Sequence, residues 1–173
     1  MSLILNVFGP VEIPFDRQAN GPAKHIAKER VNAFWDDPEA TAVATKHGCY
    51  VFAVRAAKGF TPWYVGKASS YGLRWECFQP YQLNIYNRVL FNGGKGTPVM
   101  FFIASPGSKN RLPQKTLDDL ETFLIQSAKY KNPKLSNVQK TKNLPDWGIA
   151  GVVRSGKGKP KGNVSGFRKM MYL

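Results

Sequence analysis

Five side chains of this 173-residue sequence have types and spacings that could act together. Tyr50 lies two residues after Gly48 in "GCY", and Tyr64 lies two residues before Gly66 in "YVG". Both runs look like strands. In an antiparallel hairpin whose register pairs residues of even index sum, the two phenols emerge on one face, beside backbone that the glycines leave approachable. An odd-length loop gives that register. Arg74 follows in "LRW", where the first turn of a helix can aim a guanidinium back at the same face. Glu121 has Leu117 one helical turn before it and Leu124 and Ile125 about one turn after, which sets a carboxylate among core residues. Such a group needs a counter-charge, and in this chain a metal ion or an arginine is the natural one. Asn137, in "PKLSN", carries an amide that can tie a turn back to the site. Each residue also has a plainer reading, since tyrosine favours strands and asparagine favours turns.

The charge is strongly basic, +14 net. Residues 122–173 hold eleven Lys or Arg against one acid, Asp146, and so supply +10 of that total. So lopsided a segment points to a polyanion held by counterion release, with nucleic acid as the expected partner. An anionic membrane would call for a basic amphipathic helix with a bulky apolar face. The tail "RSGKGKPKGNVSGFRKMMYL" is too rich in Gly and Pro for that until its last residues. No apolar run approaches the roughly 20 residues that span a bilayer, and "MSLILNVFGPVEIPFD" lacks the basic flank of a signal peptide. A cytoplasmic protein without a membrane partner is expected. Cys49 and Cys77 lack Cys-x-x-Cys spacing and read as reduced, partly buried thiols.

The elements that must position these residues follow from the pattern. Residues 23–36 suggest a short amphipathic helix after a loosely ordered start. Residues 49–55 and "TPWYVG" form a hairpin about a Gly-containing turn. "YGLRWECF" and "YQLNIYNRVLF" read as helices, "TPVMFFIAS" as a buried third strand, and "TLDDLETFLIQSAKY" as a helix capped by Thr116 with Asp119 three residues on. Asp118 and Asp119 should face solvent or the helix N-terminus. This order predicts an α+β arrangement, a small sheet covered by helices.

In order and spacing, "GCY", "YVG", Arg74, Glu121 within "LETFLIQ" and Asn137 resemble the motifs of the GIY-YIG endonuclease superfamily. The resemblance covers roughly residues 46–138. It implies a small three-stranded mixed β-sheet flanked by helices and divalent-metal-dependent hydrolysis of DNA phosphodiesters. Residues 1–45 then form an N-terminal extension whose helix packs on this catalytic domain, and residues 139–173 form a basic C-terminal extension. Cys49 and Val65 stand where isoleucines are usual. Members often carry a histidine about four residues after the motif arginine, a place held here by Phe78. The chain's two histidines are His25 and His47.

Phosphodiester hydrolysis needs an activated water, stabilisation of charge on the phosphoryl oxygens and help for the leaving oxygen. The resemblance makes Tyr50 the general base, with Tyr64 orienting the nucleophile. A free phenol titrates near ~10, so a cation must lower Tyr50 for that role. Arg74 presents a planar fork to the phosphate. Glu121 is the metal ligand, a single carboxylate suited to Mg²⁺, with Mn²⁺ able to substitute. Gly66 and Lys67, directly after it, are read as nucleic-acid contacts, with Lys67 able to reach a phosphate and a solvated loop lysine as its plainer reading. Lys129, Lys131 and Lys134, and Lys157, Lys159 and Lys161 in "SGKGKPKG", read as flexible arms that follow a nucleic-acid backbone. "FRKMMYL" reads as a terminus docked on the domain. RNA remains possible as a ligand. The alternatives are a catalytically silent nucleic-acid-binding module on the same scaffold and a basic structural or partner-binding protein.

Overall fold

The computed structural model describes residues 3–17, 24–57, 59–92, 95–107, 111–137, 147–152 and 162–171. In chain order the elements are β1 (Leu3–Glu12), β2 (Asp16–Arg17), β3 (Lys24–His25), a 3-10 turn at Lys28–Arg30, α1 (Val31–Phe34), α2 (Pro38–Thr41), β4 (Gly48–Ala56), β5 (Gly59–Ala68), α3 (Leu73–Glu76), α4 (Pro80–Phe91), β6 (Thr97–Ala104), α5 (Gln114–Lys131), β7 (Trp147–Ile149) and α6 (Gly162–Met171).

The architecture is α+β, but the expected three-stranded sheet is wrong. The hairpin β4–β5 and the third strand β6 do form one antiparallel unit. To it the chain adds β1, antiparallel to β6, and β7, parallel to β1. The result is a five-stranded mixed sheet in the order β5-β4-β6-β1-β7, beside a two-stranded β2–β3 ribbon. The N-terminal residues expected to be loosely ordered are therefore a strand. In β1 the apolar Leu5 and Val7 are buried on one face of the sheet and Val11 on the other. Pairing slips between Phe8 and Val11, where Gly9 takes a φ of +96° and a Cβ would lie 2.6 Å from the Met100 carbonyl. Only glycine fits that approach.

β4 is buried along seven consecutive residues, Gly48–Val54, because the sheet is covered on both faces. Cys49, Val51, Ala53 and Val65 face α5 and α6, whereas Tyr50, Phe52, Val54 and Ala68 face α1–α4. Helix α5 buries Leu117, Leu120, Leu124 and Ala128, a spacing of three and four that lays one stripe on the sheet. Thr116 is not its cap: the helix begins at Gln114 after Pro113, with no side-chain cap. The terminus docks as expected, with Phe167, Met170 and Met171 buried and the Phe167 ring 5.6 Å from Phe101. Cys49 and Cys77 are buried and not joined in a disulfide. Among the described residues, no helix is long and apolar enough to cross a membrane.

Candidate active site

The hairpin sets the two tyrosines by an unexpected route. Its connection is two residues long, since Ala56 pairs with Gly59. That even-length loop gives an odd index sum and would send Tyr50 and Tyr64 to opposite faces. The register is corrected within β5. Phe52 pairs with Tyr64 but Ala53 pairs with Pro62, so Trp63 is the extra residue of a bulge. Beyond it Tyr50 stands opposite Gly66, and both phenols lie on the α3–α4 face with ring centroids 6.2 Å apart. Pro62 is tolerated because β5 is an edge strand.

Gly66 is required by Tyr50 itself. A Cβ at position 66 would lie 2.3 Å from both the ζ carbon and the hydroxyl of Tyr50. The phenol thus lies across the glycine backbone, 1% exposed. Tyr86 completes the group, stacked on Phe52 at 4.2 Å and 6.1 Å from Tyr64, its hydroxyl donating to the Cys77 carbonyl at 2.8 Å.

Both phenols are held above the ordinary tyrosine range. Burial raises Tyr50 most, followed by the neighbouring Tyr64 and Cys77. Burial also leads for Tyr64, with Tyr81 and Glu121 adding to it. Gln82 lies within reach of both hydroxyls and opposes the shifts, while its amide oxygen is buried without a hydrogen-bond partner among the described residues. The expected lowering of Tyr50 by a cation is thus reversed in the protein alone, because the hydroxyl is desolvated first. It stands as a neutral phenol.

Asn137 closes the open edge of β5. Its amide oxygen accepts from Val65 N at 2.7 Å, and its amide nitrogen donates to Val65 O at 2.6 Å. Ser136 N donates to Trp63 O at 3.0 Å, and Asn132 donates to Pro62 O at 2.8 Å. The turn after α5 acts as a surrogate strand.

Glu121 lies on the other side of that edge. Lys67 points to the α5 face, where its ammonium donates to Glu121 Oε2 at 3.1 Å and to Asp118 Oδ1. Burial lowers the Lys67 pKa, but the Asp118 hydrogen bond and the Glu121 charge outweigh it, and the net direction is upward. Asp118 is therefore part of the site rather than a solvent-facing residue. Asp119 is 6% exposed, against expectation, and one of its oxygens is buried without a partner among the described residues. Glu121 and Asp118 form a pair of carboxylates that could hold a metal; among the described residues no group of three or more His, Cys, Asp and Glu is placed to do so.

Four of the five motif residues meet on four consecutive residues of β5. The Tyr64 ring neighbours Tyr50, Val65 is bound by Asn137, Gly66 is covered by Tyr50, and Lys67 is bound by Glu121. Arg74 does not join them directly. It is exposed on α3, which is anchored by Arg74 N donating to Ala44 O at 2.8 Å.

Phe78 is a core residue, with its ring edge-on to Phe34 at 5.0 Å and to Tyr86 at 6.1 Å. His25 pairs with Asp16 in the β2–β3 ribbon. His47 is buried just before β4, with Nδ1 unpartnered among the described residues. Lys129 and Lys131 lie in the last turn of α5, where cations suit the helix dipole, and Lys134 is exposed after it. Lys157, Lys159 and Lys161 lie outside the described residues. Sequence reasoning missed Gln82, Tyr86 and Asp118. The last had a signal, an i,i+3 spacing to Glu121 on one helix. Comparison with family models, with characterised proteins and with solved structures returned no match.

Proposed function

We propose that this chain is a metal-dependent endonuclease of the GIY-YIG type that hydrolyses phosphodiester bonds in DNA in the cytoplasm. The observation that carries the reading is the convergence of Tyr50, Tyr64, Glu121 and Asn137 on residues 64–67 of β5. Tyr50 and Tyr64 take the α3–α4 face of that stretch, Asn137 its open edge and Glu121 its α5 face.

Glu121 and Asp118 already neutralise an ammonium between them, and two hard carboxylates fit Mg²⁺, which binds through one or two of them and keeps several waters. When bound, the ion would polarise a phosphoryl oxygen and acidify a water. The chain's own groups do the rest. Arg74 grips the phosphate with its planar fork. Tyr64, half-buried and next to Glu121 in electrostatic reach, orients the nucleophile. Tyr50 donates a hydrogen bond as a neutral phenol and becomes a base only where a cation offsets its burial. Asn137 holds the strand that carries them.

A catalytically silent nucleic-acid-binding module is the second reading, favoured by Phe78 in the core and by the desolvation of Tyr50. Nicking of supercoiled plasmid at low salt separates the two. The nuclease converts it to open circle with Mg²⁺ or Mn²⁺ and stops in EDTA. The silent module binds the plasmid and leaves it supercoiled under both conditions.

A further inference from the structure

Exposed aromatic rings are concentrated at one place. Of the five exposed large hydrophobic residues among those described, three fall within residues 71–81: Tyr71 at 75%, Trp75 at 61% and Tyr81 at 67%. Tyr71, just before α3, and Trp75, within it, have ring centroids 6.0 Å apart and planes at 57°. That angle makes a corner rather than a slot, so a flat group can lie on one ring and against the edge of the other. The corner opens on a cleft of about 700 Å³ that Arg74 also lines, with the buried Trp35 and Phe78 beneath. Two cations, Arg74 and Lys28, line it against one carboxylate, Glu29.

Phe78, beneath the cleft, lies 6.1 Å from Tyr86 between ring centroids, and Tyr86 lies 6.1 Å from Tyr64. A chain of ring contacts therefore links the floor of the cleft to the tyrosine pair. Aromatic faces stack on bases of any sequence, and the neighbouring cations take the backbone phosphates. Bases inside a duplex cannot reach such a corner. On a chain of net charge +14 the complementary occupant is a polyanion.

We propose that this cleft seats an unpaired nucleotide next to the scissile phosphate, so that the preferred substrate carries a single-stranded segment such as a flap, gap or frayed end. The proposal rests on the nuclease reading above.

The test is binding and cleavage of two oligonucleotide duplexes of equal length, one blunt and one carrying a single-stranded overhang with 2-aminopurine at its junction. Wild type is expected to quench the 2-aminopurine by stacking and to prefer the overhang. Trp75→Ala and Tyr71→Ala should each weaken overhang binding about 5-fold or more and abolish the quenching. Both rings are exposed, so the core stays intact in either variant. If the overhang is bound no better than the blunt duplex, or if both variants keep wild-type quenching, the cleft proposal falls. Metal-dependent nicking that persists in that case leaves the nuclease reading standing. Capture of an acidic peptide by the cleft in place of the overhang would likewise overturn the proposal.

Discussion

Tyr50 and Gly66 act as one unit at the residue scale, because the phenol occupies the volume that any other side chain at position 66 would need. Gly66→Ala should cost about 1–3 kcal/mol, the usual range for overpacking a well-filled site, and should displace the Tyr50 ring. Chemical denaturation against wild type reads the first effect. A Gly66→Ala protein of unchanged stability would mean that the ring moves aside freely. The glycine and both tyrosines are legible in the sequence, since glycine beside tyrosine in two adjacent strand-like runs raises the question of what the glycine is making room for. The protonation of Tyr50 is not legible. It depends first on burial beneath α3 and α4, a packing that no local pattern predicts, and then on the neighbouring Tyr64 and Cys77.

The edge of β5 decides the geometry at the scale of elements. Asn137 reproduces on that edge the paired donor and acceptor of a neighbouring strand. Asn137→Ala removes both hydrogen bonds and leaves Val65 N and O facing the vacated position. A destabilisation of about 1–2 kcal/mol is expected, with faster amide exchange at Val65 than in the wild type. Equal exchange would show that water or another group replaces the amide at no cost.

The hairpin, β6 and α5 were readable because their apolar periods are strong. The bulge at Trp63 was not, because the register is chosen by both faces of the sheet together, although Pro62 in an otherwise strand-like run was a hint of irregularity. β1 was missed for a related reason. Gly9 and Pro10 break its run in sequence, and it becomes a strand only through the β6 edge that accepts it. Helices α3 and α4 fall where "YGLRWECF" and "YQLNIYNRVLF" place them, α3 being shorter than its run because the chain leaves the helix before Pro80 starts the next one.

Whole-molecule stability should fall on the alkaline side. Tyr50, Tyr64 and Tyr86, the Cys77 thiol and the Lys67 ammonium all have folded pKa values above their ordinary ones. A folded pKa above the unfolded value means that the folded state holds its proton more tightly, so the stability it brings is complete below the unfolded pKa and is lost as pH rises through the folded one. The thiol enters near pH ~9, and the phenols and ammonium above ~10. Denaturant midpoints should therefore decline progressively above about pH 9. A midpoint that stays flat to pH 11 would contradict the burial of these groups.

The proposed nuclease function rests on Glu121, one of the two carboxylates that face Lys67. The most direct measurement is the initial rate of Mg²⁺-dependent plasmid nicking by Glu121→Ala beside wild type, with circular dichroism confirming that both are folded. The account predicts metal-dependent nicking by wild type and a fall of about 100-fold or more in the variant. Equal rates for the two proteins, or a wild type that binds the plasmid and never nicks it, would contradict it.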